Sequence, residues 1–195
     1  MSTAGPGRGE RKVESTSVYP ATRYVAFLRA VNVGGRVVKM DKLRRVFASL
    51  GYTDVQTFIA SGNVVFDSSV KSAPALERQI EAALLEALGF PVMTFVRSLS
   101  EVLDAAGHQP FKEAEGATLY VAFVRDAPSK DAARRLHALA NDYNEYRVRG
   151  REVFWLMRAS YIEASKTAAD IEKTLGMPAT VRNSTTVRRM AAKFC

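Results

Sequence analysis

Three short stretches of the 195-residue chain combine the residue types that grip anions: Asn32-Val33-Gly34-Gly35-Arg36 with Lys39, Ser61-Gly62-Asn63, and Arg182-Asn183. In the first, Gly34 and Gly35 allow positive φ, so successive N–H groups can converge on an anion. Arg36 and Lys39 would add charge-assisted contacts. The plainer reading is a tight strand-to-helix connection with solvated cations. In the second, Asn63 and Gly62 suit a hairpin turn. That turn is the plainer reading; the apolar Phe58-Ile59-Ala60 before it would allow Ser61 and Asn63 to sit at the edge of a buried pocket. In the third, Arg182 and Asn183 end a strand just before a helix, where N–H groups face an approaching anion. The plainer reading there is an N-cap beside a surface arginine. Lys166 is a further candidate, as an acid/base group or as an i,i+4 partner of Asp170. The chemistry these residues share is capture of a small anionic or phosphorylated ligand. An enzyme acting on a phosphorylated metabolite is the alternative.

Other chemistries lack their residues. No phosphate-loop, dinucleotide, zinc-protease or paired-cysteine spacing occurs. His108 and His137 fall in different elements, so no metal site and no cofactor is expected. Cys195 is the single cysteine. It excludes an intrachain disulfide and fits a reducing, cytoplasmic location. No apolar run is long enough for a membrane span. Lys and Arg number 28 against 20 acids, a formal net charge of +8. Such a balance favours anionic partners without naming one. The RNA-binding sheet pattern with paired aromatics is absent. Phosphate-only contact through the basic stretches 36–45 and 182–193 stands as the nucleic-acid alternative.

Periodicity supplies the elements that would hold these residues. Residues 1–22 are polar and read as a disordered tail. Tyr24–Arg29 reads as a strand. Leu43, Val46, Phe47 and Leu50 mark one helix face, with Gly51 at its end. Val55–Ala60 and Val64–Asp67 form a hairpin, and Leu76 to Leu88 a helix opened by Pro74 and closed by Gly89. Pro91–Arg97 is a strand, followed by a capping box at Ser98 and Glu101 that starts a trailing helix. The second half repeats the order: strand Leu119–Arg125, a helix from Lys130 to Ala140, hairpin strands Glu145–Arg149 and Glu152–Met157. A helix ending at Leu175, strand Ala179–Arg182 and a last helix follow.

Tyr120–Arg125 matches Tyr24–Arg29 at five of six positions, 96 residues on. Gly150 answers Gly62, and Leu175-Gly176 answers Leu88-Gly89, in the same order. These matches predict an internal duplication. The expected fold is α+β: two tandem split-βαβ (ferredoxin-like) units, closely packed, over 23–107 and 117–195, each with a trailing helix. The central strands are apolar at both parities. Both of their faces should therefore be buried, which requires the units to pack against each other.

The stretch Tyr24 to Arg36, then Lys39 to Leu43, then Ile59 to Phe66 strongly resembles the bacterial domain-of-unknown-function family 1697. Ala164-Ser165-Lys166 and Thr180 to Asn183 resemble that family's second half. Here Asn183 is followed by Ser184-Thr185-Thr186 rather than the family's usual Trp-Asn-Thr. The resemblance implies a two-unit α+β fold and no established activity.

Overall fold

Local signals set most element ends. A computed structural model of the chain describes residues 20–31, 37–59, 62–112, 115–158 and 169–194. The first unit runs β1 (Thr22–Leu28), α1 (Met40–Ser49), β2 (Thr53–Phe58), β3 (Asn63–Ser68), α2 (Ala73–Leu88), β4 (Thr94–Ser98) and α3 (Leu99–Gly107). The second runs β5 (Thr118–Val124), α4 (Lys130–His137), β6 (Asn144–Arg149), β7 (Glu152–Met157), a helix α5 described over 169–175, β8 (Ala179–Asn183) and α6 (Ser184–Phe194). Ser72 Oγ accepts the Ala75 N–H to open α2, and Gly89 closes it in the left-handed region at φ 77°. Ser98 and Glu101 form both halves of the capping box of α3. Ser129 opens α4.

α4 is shorter than its sequence pattern, stopping at His137, where Ala138 and Leu139 tighten into turns. β1 starts at Thr22, while residues 1–19 of the expected tail lie outside the described residues. β4 begins at Thr94 rather than Pro91, in keeping with a residue that has no N–H to give a ladder.

Each unit forms one four-stranded antiparallel sheet, in the orders β2-β3-β1-β4 and β6-β7-β5-β8. These are the same order in copy, a split βαβ arrangement, and the whole is an α+β fold consistent with tandem duplication. Register refines the match. Phe27 pairs with Asn63 and Phe123 with Glu152, so Asn63 answers Glu152, not Arg151. Gly62 therefore answers Arg151, one residue away from the Gly150 equivalence expected from sequence. Val25 pairs with Arg97 and Val121 with Arg182, so those two arginines are equivalent.

Three apolar layers follow from the strand alternation. α1 and α2 cover one face of the first sheet, with Leu43, Phe47, Leu76, Ile80 and Phe66 at the centre. α4 and α5 cover one face of the second, around Leu136, Trp155 and Ile171. The remaining faces meet each other. Val25, Phe27, Val65 and Phe95 pack against Val121, Phe123 and Phe154, and the trailing helices add Val102, Ala105, Val187 and Met190. Phe27 and Phe123 stack at 4.0 Å and 11° across this layer. Both faces of the central strands are buried, as their unbroken apolar runs require.

Side chains from each unit also reach into the other. Arg29, at the end of β1, donates to Glu172 of α5 at 2.9 Å. Its counterpart Arg125 donates to Glu81 of α2. Those glutamates in turn accept N–H groups from the sheet edges: Glu172 from Ala179 at 2.8 Å and Glu81 from Thr94 at 2.7 Å. Glu77 accepts the next outward N–H of β4, that of Val96, at 2.8 Å. At the other side of the first sheet, β2 carries a register irregularity between Thr53 and Gln56, with Asp54 at φ 45°.

Candidate functional site

Strand alternation decides where the candidate residues go. Arg182 lies opposite Val121 on the face turned toward the other unit. Its guanidinium is therefore directed into the layer between the sheets rather than to solvent. Nε donates to Asn63 Oδ1 at 2.7 Å, Nη1 to Thr180 Oγ1 and the Val181 carbonyl at 2.9 Å each, and Nη2 to the Leu28 carbonyl at 2.9 Å. A longer contact of 3.5 Å reaches the Gly62 carbonyl. The cation also sits 5.7 Å from the Phe27 ring centroid. The structure thus brings Asn63 and Arg182 together from opposite ends of the chain.

Arg97 repeats this arrangement from the other unit. Its Nη2 donates to the Val124 carbonyl at 2.6 Å and the Arg151 carbonyl at 2.9 Å, the equivalents of Leu28 and Gly62. Its cation is 5.5 Å from the Phe123 centroid. One partner differs. Nε of Arg97 donates to Glu152 Oε1 at 2.6 Å, an ion pair, where Arg182 meets the neutral Asn63. Burial pulls the Arg97 pKa down, and Glu152 opposes that pull. For Arg182 burial lowers the pKa to about 10, and no carboxylate among the described residues opposes it. The guanidinium still keeps its proton at neutral pH.

Asn183 is adjacent in sequence but has a different task. Its Oδ1 accepts the Thr185 N–H at 2.8 Å and caps α6. It also lines an open cleft of about 570 Å³ between the start of α6 and the segment leading into β5. Ser184, Thr185 and Arg188 form the α6 side of this cleft; Gln109, Phe111, Lys112 and Glu115 form the other, with Leu119 and Leu156 between. Arg188 Nη2 donates to Ser184 Oγ at 3.1 Å, which holds the guanidinium along the first turn. α6 starts with four N–H groups that no helix carbonyl can meet, and its positive end faces the cleft.

Of the other sequence candidates, Lys39 is not among the residues of this cleft. Lys39 is exposed at the N-cap position of α1 and gives its carbonyl, not its ammonium, to the helix start. Asn32, Gly34, Gly35, Arg36, Ser61 and Lys166 lie outside the described residues. Sequence reasoning missed Lys112 and Arg188 as cleft residues. Their signal was weak: a lone lysine between elements, and one arginine of a helix whose facing could not be fixed without its partner. Arg97 was visible as the counterpart of Arg182, but not as a buried clamp. His108 packs edge-on to Phe154 at 4.7 Å. Among the described residues, no three His, Cys, Asp or Glu side chains stand close enough to hold a metal ion. None of the described helices is long and apolar enough to cross a membrane.

The family described as "Protein of unknown function (DUF1697)" matches residues 21–154, from just before β1 into β7. The chain belongs to this family. Its fold is similar to that of a conserved bacterial protein, SP0830 of Streptococcus pneumoniae, with a TM-score of 0.67. The two are 22% identical, and the likeness covers 89% of this chain and 98% of the other. At that identity the likeness speaks for the fold alone. No curated protein matches the chain. Family membership brings no activity with it, so the chemistry of this member rests on its cleft and its cations.

Proposed function

We propose that this family member is a cytoplasmic binding protein for a small anionic, phosphorylated ligand, held in the cleft at the start of α6. The observation that carries the reading is the convergence of Lys112, Arg188 and the first turn of α6 on one open cleft of about 570 Å³. That volume is within the range of small-molecule sites. Two cations against Glu115 leave the lining net positive. Gln109, Asn183 and Thr185 offer neutral hydrogen-bonding groups, and Phe111, Leu119 and Leu156 offer an apolar wall for an uncharged portion. Arg182 acts here as a positioning residue: it fixes the end of β8 from which Asn183 and α6 depart.

The test is titration of the full chain with inorganic pyrophosphate, followed by amide chemical shifts. Shifts are expected at Ser184, Thr185 and Thr118. Arg188→Ala should weaken binding about tenfold or more, the scale of one hydrogen bond to a charged group. Full affinity in both Arg188→Ala and Lys112→Ala would overturn the reading. So would loss of binding in Arg36→Ala alone, which would move the site to the glycine loop.

A further inference from the structure

We propose that the outer face of α6 is a docking strip for the phosphate backbone of a nucleic acid. This strip shares Thr185 and Arg188 with the rim of the cleft but does not rest on the small-anion reading. Val187, Met190 and Ala191 turn inward, so Thr185, Arg188, Arg189, Ala192 and Lys193 make up the exposed face. Residues 179–195 contain no Asp or Glu at all. Elsewhere the arginines of the body are largely neutralised: Arg23, Arg29, Arg97, Arg125, Arg151 and Arg158 each pair with a carboxylate. Among the described residues no carboxylate pairs with Arg188, Arg189 or Lys193. The helix packed against α6 is α3; its Glu101 is already engaged by Arg151, and its Asp104 lines a pocket together with Arg149.

Two of these cations are held in place without being neutralised. The Arg189 guanidinium lies 5.9 Å from the Phe58 ring centroid. The Lys193 ammonium lies 5.7 Å from that ring and 5.1 Å from Phe194. A ring quadrupole orients a cation but leaves its charge whole. Part of the ordering that binding would demand is therefore already done. Residues 189 and 193 are four positions apart, about 6 Å along the axis, so the strip presents successive charges in a line.

The partner's chemistry follows from what the strip lacks. It has no large apolar side chain, so it cannot bury itself in a lipid surface. Beyond the cleft that Thr185 and Arg188 border, its exposed residues Arg189, Ala192 and Lys193 offer no apolar pocket to take an anchor of an acidic peptide. A polymer with one charge per residue fits it, and contacts limited to phosphates carry no sequence preference.

The experiment is fluorescence anisotropy of the full chain with a labelled single-stranded RNA and a duplex DNA of mixed sequence, from about 50 to 200 mM salt. Three phosphate contacts give a logarithmic slope of roughly −2 for a single strand, a loss of ~15–20-fold over that range. The doubly substituted Arg189→Gln, Lys193→Gln chain should bind more weakly and lose only about threefold over the same range. Arg134→Gln, at an exposed cation paired with Asp131 on α4, serves as the control and should match the parent. No binding at the lowest salt overturns the proposal. An unchanged slope in the double variant does so too, as does equal binding to anionic vesicles or polyglutamate. Pyrophosphate binding persisting in the double variant would show that only this strip, and not the cleft reading, had failed.

Discussion

Replacing Glu152 isolates the electrostatics of the inter-sheet layer. Arg97 is fully buried, and Glu152 Oε1 accepts its Nε–H at 2.6 Å. Glu152→Ala removes the counter-charge and leaves a buried N–H unmet. Breaking a buried pair from one side costs about 3–5 kcal/mol. Glu152→Gln keeps an oxygen in place and turns the Arg97 site into a likeness of the Arg182 site, where Asn63 serves. Only the charged part of that hydrogen bond is then lost, about 1–2 kcal/mol. For a chain of this size the two changes correspond to Tm drops of about 6–20 °C and about 2–8 °C. Urea unfolding reads both, and an unchanged m-value would confirm that the native fold is retained. Equal losses in the two variants, or a loss under about 1 kcal/mol for Glu152→Ala, would refute the reasoning that Arg97 depends on a neutralising partner.

Two further outcomes are expected. Gly62 stands at φ +72°, and a Cβ there would meet Leu28 and Val31 at 3.2 Å, whereas Gly51 at φ +80° has open space. Gly51→Ala should cost about 1–2 kcal/mol from the backbone alone, and Gly62→Ala should be clearly worse by thermal denaturation; the reverse order would contradict the contact. Acid titration of stability should separate two glutamates. Desolvation raises the Glu77 pKa against the hydrogen bond from Val96 and the nearby arginines. Its contribution is thus present below the ordinary glutamate value and lost as pH rises through the folded one, so Glu77→Gln should gain on the parent above that window. At Glu101 burial pushes upward but the hydrogen bonds from Arg151 and the Ser98 N–H prevail and lower the pKa. Its contribution is lost as pH falls through the folded value, so Glu101→Gln should fall behind near neutrality and converge with the parent in acid.

The elements were legible where local physics fixes them. Ser98 with Glu101, and Gly89, mark helix ends by satisfying backbone groups within a few residues, and such signals survive in a lone sequence. The apolar runs of β1 and β5 also announced that two sheets share a layer. The role of Arg182 was not legible. Its neighbours Leu28 and Asn63 are more than a hundred residues away, and only the strand pairing shows which face the side chain takes. The same applies to the cleft: Lys112 and Arg188 meet through the docking of α6, which no periodicity encodes. The hairpin equivalence slipped by one residue because Gly150 and Gly62 share a type but not a register position.

The glutamates that accept outward N–H groups of β4 and β8 bear on how this protein would aggregate. A strand whose amides are already engaged by carboxylates is a poor template for another chain, and the irregular β2 is scarcely better. Among the described residues, β6 runs in regular register with β7 on one side only, from Asn144 to Arg149. Self-association of a heat-damaged population should start there, restrained by the charges of Glu145, Arg147 and Arg149 along that rim. Replacing Arg147 and Arg149 with valine should shorten the lag of thioflavin-detected fibril growth, while the same change on another exposed strand should not.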